Sequence, residues 1–236
     1  MPRPDNRLAA QLRPLSAEPA ALERADGSAR LAHGGTELLV AVYGPCEAKR
    51  SRESIEGAAL DVIVKPCAGL PGPAEREVEQ LLVQTLTHAI LTAHHPRTAI
   101  CIVVQVLAAD GSLLAAATHG ACLALMHAGV PLRGMLGGCA AALAADGATV
   151  LLDPCAEEER EATAVVTKIF LTRRALSGKI ERQLLLSHMV GAVGAGTQLD
   201  VCQSAASEAA ACVVEFYRQA LQRVVAPLAA SEGGES

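Results

Sequence analysis

The chain has 236 residues, of which 51% are hydrophobic, 19% charged and 2% aromatic, and its formal net charge is −5. That length and apolar content suffice for an aliphatic core in one domain or two fused halves, while the acidic balance excludes a nucleic-acid binder that works by bulk positive field. The longest apolar stretches, 100–109 and 113–126, are interrupted by polar residues and fall short of the roughly 20 residues a spanning helix needs, so no membrane passage is expected.

Residues 1–20, where prolines and arginines alternate with small residues, read as a flexible leader. Arg3, Arg7 and Arg13 are followed by no continuous apolar run, so a secretory signal is not expected. Ala25-Asp26-Gly27 signals a turn, and Ser28 to Leu31 and Glu37 to Val42 form two extended runs around His33-Gly34-Gly35, the pattern of a hairpin that Gly44-Pro45 should end. Ala58 to Val64 predicts a third strand, and the proline- and glycine-rich 66–73 a loop. Val78, Leu81, Leu82, Leu86, Ala89 and Ile90 recur with helical spacing and predict a helix over 74–93, with Glu75 and Glu77 matching its positive end.

Thr98 to Leu107 predicts a buried strand closed by Asp110-Gly111, and Leu113 to Ala128 a buried helix that Gly129 and Pro131 stop. A second hairpin is expected from 136–144 and 149–152 around Asp146-Gly147. An acidic run follows, then strands over 164–171 and 184–190. Last comes a long helix over 197–225, opened by Thr197-x-x-Asp200 and striped by Val201, Ala205, Ala209, Val213, Phe216 and Leu221. Hairpins followed by a helix occur in both halves, about 21–130 and 131–228, which predicts an internally duplicated α+β unit with a flexible tail over 229–236. The eight cysteines include no Cys-x-x-Cys pair and lie mostly in apolar runs, as reduced thiols of a cytosolic or nuclear protein would.

ERADGSARLAHGGTELLVAVYGPCEAK at 23–49, LPGPAE at 70–75, HPRTAICIVVQVLAADGSLLAAATHGACLALMHAGVPLRGM at 95–135 and LLDPCAEEEREATA at 151–164 together resemble the RNase PH domain family, most closely the ring subunits of the eukaryotic RNA exosome. The resemblance implies an α+β fold of duplicated β-α-β halves, of the type of ribosomal protein S5 domain 2. It implies paired subunits that assemble with other RNase PH-type subunits into a hexameric ring, capped by further subunits, around a channel for single-stranded RNA in rRNA processing and mRNA decay. It also implies a reaction, 3′ to 5′ phosphorolysis, in which inorganic phosphate attacks the terminal phosphodiester and needs cationic or amide donors to hold it.

Set against the active members' pattern, the phosphate-holding Gly-Thr-Arg falls on Ser112, Leu113 and Leu114, and a second arginine, on the preceding helix, falls on Gln84, with neighbouring basic positions on Gln80 and Thr87. Both guanidinium groups are gone, and with them permanently charged bidentate donors. Removing one such donor costs on the order of a hundredfold in rate, so efficient phosphorolysis is not expected. Ser112 and Gln84 remain as weak phosphate-binding candidates, Ser112 through backbone N–H groups at a helix start; an ordinary turn and helix cap is the favoured reading of Ser112.

Asp153 and Glu159 fall on the family's paired acids and are the catalytic candidates, one as general acid, both as ligands of a Mg²⁺ that would support hydrolysis instead. That chemistry fits an alternative role, a self-paired nuclease outside the ring acting on RNA or DNA. Read without the family, Asp153 is a turn residue before Pro154, and Glu157, Glu158, Glu159 and Glu161 form a solvated face. His119, Cys122 and His127 have ligand-like types but do not share one helix face, so they read as core residues. Lys65, Arg76 and Arg97 are the RNA-binding candidates, joined by the basic run Lys49, Arg50 and Arg52. No aromatic platform accompanies them.

Overall fold

The computed structural model describes residues 3–144, 149–175, 177–193 and 197–232, with the side chains of 197–198 and 224–232 outside that description. Among the described residues, nine strands and four α-helices follow the chain as β1 (Leu15–Pro19), β2 (Gly27–His33), β3 (Thr36–Glu47), β4 (Ala59–Lys65), α1 (Pro73–Ala89), β5 (Thr98–Ala108), α2 (Leu113–His127), β6 (Met135–Leu143), β7 (Val150–Leu152), α3 (Ala156–Glu161), β8 (Ala164–Arg174), β9 (Ile180–Gly191) and α4 (Thr197–Glu232). They form a five-stranded sheet in the order β1-β2-β3-β5-β4 and a four-stranded antiparallel sheet in the order β7-β6-β8-β9.

Helix α2 touches β1, β2, β3 and β5 of the first sheet and β6 and β8 of the second. Leu114 to Leu125 are all buried, as a helix covered on every side requires. One apolar cluster therefore joins Leu31, Val40 and Ile102 of the first sheet to Leu136 and Ile169 of the second and Val213 of α4. The helix is compatible with this packing because Ala and Gly dominate it: Gly120 stands against Val40, where an added Cβ would come within 2.8 Å. Gly129, at φ +71°, ends it as expected, and the Val130 N–H donates back to Leu125 O at 3.1 Å.

Several expectations change. β3 does not stop at Gly44-Pro45 but passes through that cis bond with a register shift and pairs Cys46 with Ala99 and Glu47 with Thr98. α1 ends at Ala89, earlier than its periodicity suggested, because Ile90 bridges to Leu132 and the Leu91 N–H donates to Pro131 O at 3.0 Å. The leader is not loose: β1 pairs with β2 from Leu15↔His33 to Pro19↔Ala29, and Arg3 and Arg13 are buried. The acidic run contains a helix, α3. α4 extends to Glu232, into the expected tail. The turn at Asp146-Gly147 and residues 233–236 lie outside the described residues.

Candidate functional site

Asp153 and Ser112 both sit at bends held by positive φ, 52° in each case, where β7 gives way to α3 and where α2 begins. Gly111 at φ +76° lets the backbone approach the second half: a Cβ there would stand 2.6 Å from Pro154 O. The two helix starts exchange carboxylates. The Ser112 N–H donates to Glu159 Oε1 at 2.7 Å, and the Ala156 N–H at the start of α3 donates to Asp110 Oδ1 at 3.1 Å. Ser112 Oγ donates to Pro154 O at 3.1 Å and makes no cap bond of its own. Burial pushes the Glu159 carboxyl above its usual range, against the pull of the Ser112 N–H and Arg13.

Asp153 is fully buried in a cationic cradle. The Arg13 backbone N–H and Nε donate to Oδ2 at 2.8 and 3.0 Å, Arg13 Nη2 donates to Oδ1 at 2.8 Å, and His33 Nε2 lies 2.9 Å from Oδ2. Burial alone would raise this carboxyl; His33 and Arg13 outweigh it and hold it far below the ordinary carboxylate range. Next to it Arg3 grips Glu158 through both oxygens, Nε to Oε1 at 2.7 Å and Nη2 to Oε2 at 2.8 Å, and also donates to Leu152 O and Asp153 O. Burial opposes the ionised Glu158, and the Arg3 hydrogen bonds overcome it and lower its pKa. Arg7 bonds Asp5 and donates to Asp153 O at 3.3 Å. A cavity of about 420 Å³ adjoins this network, between Arg13, Gly34 and Gly35 on one side and Asp110, Cys155 and Glu157 on the other.

Of the catalytic candidates, then, the structure brings Asp153 and Glu159 to one place but engages both. Both Asp153 oxygens are engaged by Arg13 and His33, which favour the ionised carboxylate. Mg²⁺ does not fit: Oδ1 and Oδ2 are taken by Arg13 and His33, and among the described residues no group of three or more His, Cys, Asp or Glu is placed to hold a metal. The solvated-face alternative fails too, for Glu158 is buried and Glu159 half-buried, while Glu157 and Glu161 are exposed as it required.

Gln84 is exposed on α1 while Ser112 is buried at the start of α2, bonded to Glu159 and Pro154, and no hydrogen bond among the described residues joins the two phosphate-binding candidates. Lys65, Arg76 and Arg97 are exposed but do not form one patch. Lys65 pairs with Gln105 while Arg97 precedes Thr98 at the other end of β5, about 26 Å away at roughly 3.3 Å per residue. Arg97 stands beside Glu53, 3.6 Å away, and Arg52 pairs with Asp61 at 2.8 Å.

His119, Cys122 and His127 have separate partners on other elements: His119 Nε2 accepts from the Gly138 N–H, Cys122 Sγ from the Leu136 N–H and His127 Nδ1 from the Ser28 N–H. They pack α2 against both sheets, as core residues do. Burial lowers His119 to about 3 and raises the Cys122 thiol to about 11, so neither changes charge near neutral pH.

Sequence reading missed Arg3, Arg7, Arg13 and His33, the residues that hold the acids. Charged arginines recurring in a segment read as loose were the available signal, since arginine in a solvated leader needs no partner and here each has one.

Residues 11–131 match the model of the 3′ exoribonuclease family, domain 1, of RNase PH type. The chain is 38% identical over 182 residues, 77% of this chain and 76% of the relative, to the exosome complex exonuclease RRP46 homolog of Oryza sativa subsp. japonica. It is also 38% identical over 168 residues, 66% of this chain and 68% of the relative, to the exosome complex component RRP41 of Homo sapiens. The crystal structure of rice Rrp46 superposes with a TM-score of 0.86 at 35% identity, covering 93% of this chain and 100% of that one. An archaeal exosome core chain shares the fold, with a TM-score of 0.74 at 18% identity.

Proposed function

We propose, from the premise that the chain belongs to the 3′ exoribonuclease family of RNase PH domains, that it is an RNA exosome ring subunit acting in 3′ to 5′ RNA processing and degradation by structure and RNA guidance. The subunit type is the one its DGSLLA and AGVP wording resembles, exosome component five. Relatives named for RRP46 and RRP41, aligned over two thirds or more of their own length, support ring membership.

One observation carries the non-catalytic part of the reading. The backbone N–H that opens α2, where the family resemblance puts the phosphate, already holds the Glu159 carboxylate, and no arginine stands at Leu113, Leu114 or Gln84 to favour phosphate over it. A carboxylate of the same chain holds its place at an effective concentration that free phosphate must exceed. The self-paired, metal-dependent nuclease needs a free carboxylate pair, which the Arg13 cradle around Asp153 does not leave. In the ring, the neighbours are other RNase PH-type subunits and cap subunits, and the ligand is single-stranded RNA touched by dispersed cations such as Lys65, Arg76 and Arg97. Eight free thiols support residence in the nucleus, nucleolus and cytoplasm.

The test is degradation of a 5′-labelled single-stranded RNA by the isolated protein, with Mg²⁺, in the presence and absence of inorganic phosphate. No shortening under any condition is expected. Shortening that requires phosphate would make this subunit a phosphorylase; shortening without phosphate that Asp153→Asn abolishes while circular dichroism shows the variant still folded would make it a hydrolase.

A further inference from the structure

Beside the Arg3–Glu158 pair lies a second, larger cavity of about 590 Å³, which shares Pro4 and Glu157 with the first. Its floor is aliphatic: Ala142 at the end of β6, Leu151 of β7 and Ala162 just past α3. At its rim stand Glu157 and Glu161, one helical turn apart on α3 and both exposed. Neither carboxylate has an ion pair or hydrogen bond among the described residues, and Arg160, between them in sequence, does not line the cavity. Arg3, the cation in the wall, is neutralised by its bidentate bond to Glu158.

This combination selects its occupant. An apolar recess of this size falls within the roughly 300–1,000 Å³ range of ligand sites, and an aliphatic or aromatic side chain would remove its floor from water. Two unpaired carboxylates at the mouth repel a phosphodiester chain and attract cations, so the charge pattern excludes the RNA backbone and fits basic protein sequence. We infer that this cavity is a docking site for a short basic segment of a partner protein, which inserts one apolar side chain over Ala142, Leu151 and Ala162 while flanking lysine or arginine side chains pair with Glu157 and Glu161. None of Lys65, Arg76 and Arg97, the cations proposed to touch RNA, lines this cavity, and the proposal does not depend on whether the subunit is catalytic.

The experiment uses the full chain and a fluorescein-labelled nonapeptide with a central leucine flanked by lysines, read by fluorescence anisotropy at low salt. The proposal expects saturable binding that weakens about tenfold, or about 1.4 kcal/mol, in each of three cases: Glu157→Gln with Glu161→Gln, Ala162→Leu, and the same peptide with alanine at its centre. Thermal melting of each variant separates loss of docking from loss of fold, and a surface pair of glutamine substitutions should leave the melt unchanged. Binding that is not saturable, that survives both sets of variants, or that depends on the glutamates but not on the leucine or Ala162 would overturn the proposal. So would self-association of the wild type that Ala162→Leu abolishes, since the occupant would then be a second copy of this chain.

Discussion

The Ser112 N–H and the Glu159 carboxylate meet at 2.7 Å across the junction of the two halves, and Asp110 reciprocates by accepting from the start of α3 at 3.1 Å. Each half thus supplies the anion that caps the other's helix, and the cap at α2 stands where the family resemblance puts phosphate.

Removing that carboxylate should uncover the helix start. In Glu159→Ala, phosphate at tenfold excess over its Kd should stabilise the fold by about 1.4 kcal/mol, seen as a rising melting temperature on phosphate titration, while the wild type stays flat. A flat response in the variant would mean that Glu159 does not guard an anion site.

Asp153→Asn should cost about 3–5 kcal/mol, the range for breaking a buried ion pair from one side, because Arg13 would remain buried without its counter-charge. Urea unfolding measures it. A cost below about 1 kcal/mol, the level of an exposed pair, would show that the cradle is not structural.

The acid limb of stability follows from the signs. Asp153 and Glu158 have folded pKa values below their unfolded ones, so their contributions are present above the usual carboxylate range, about 4, and are lost as pH falls toward the folded values. Glu159 is raised, so its burial penalty is relieved as pH falls, which opposes them. Two buried depressed groups, with the exposed Asp5 lowered beside them, against one raised group predict unfolding that sets in below about pH 4, and Arg3→Ala should flatten that limb by releasing Glu158. Circular dichroism against pH, with no change in slope for Arg3→Ala, would contradict it.

Gly111→Ala combines a left-handed φ with a close approach to Pro154 O and should destabilise by about 1–3 kcal/mol. Thermal melting against Gly178→Ala, at φ +80° in open space, separates strain from crowding: the Gly178 variant should lose less.

For RNA held in the assembled ring, replacing Lys65, Arg76 and Arg97 by alanine should lower affinity and reduce the slope of log K against log salt by about 0.7 for each phosphate that is no longer neutralised. An unchanged slope would place these cations off the RNA path.

The sequence was most legible where pattern and burial agree. The apolar run that became α2 and the β-branched run that became β5 lie within a residue or two of their expected limits, since full burial admits few alternatives. It was least legible where a segment's partner is distant: Arg3 reads as a solvated cation until Glu158, 155 positions away, closes on it. The site divided in the same way. The family pattern located Asp153, Glu159 and Ser112 together, but that Asp153 is held by Arg13 and His33 depends on register and on three-dimensional closure, which spacing does not encode. α3 escaped because six residues of mostly glutamate carry no amphipathic period.

The buried arginines ahead of β1 have a consequence for synthesis. Arg3, Arg7 and Arg13 leave the ribosome roughly 150 residues ahead of Asp153 and Glu158, at about 5–20 residues per second. For many seconds Arg3 and Arg13 wait for the carboxylates that bury them, while Arg7 has its neighbour Asp5, and the first sheet must wait for the second half before its own beginning is sealed.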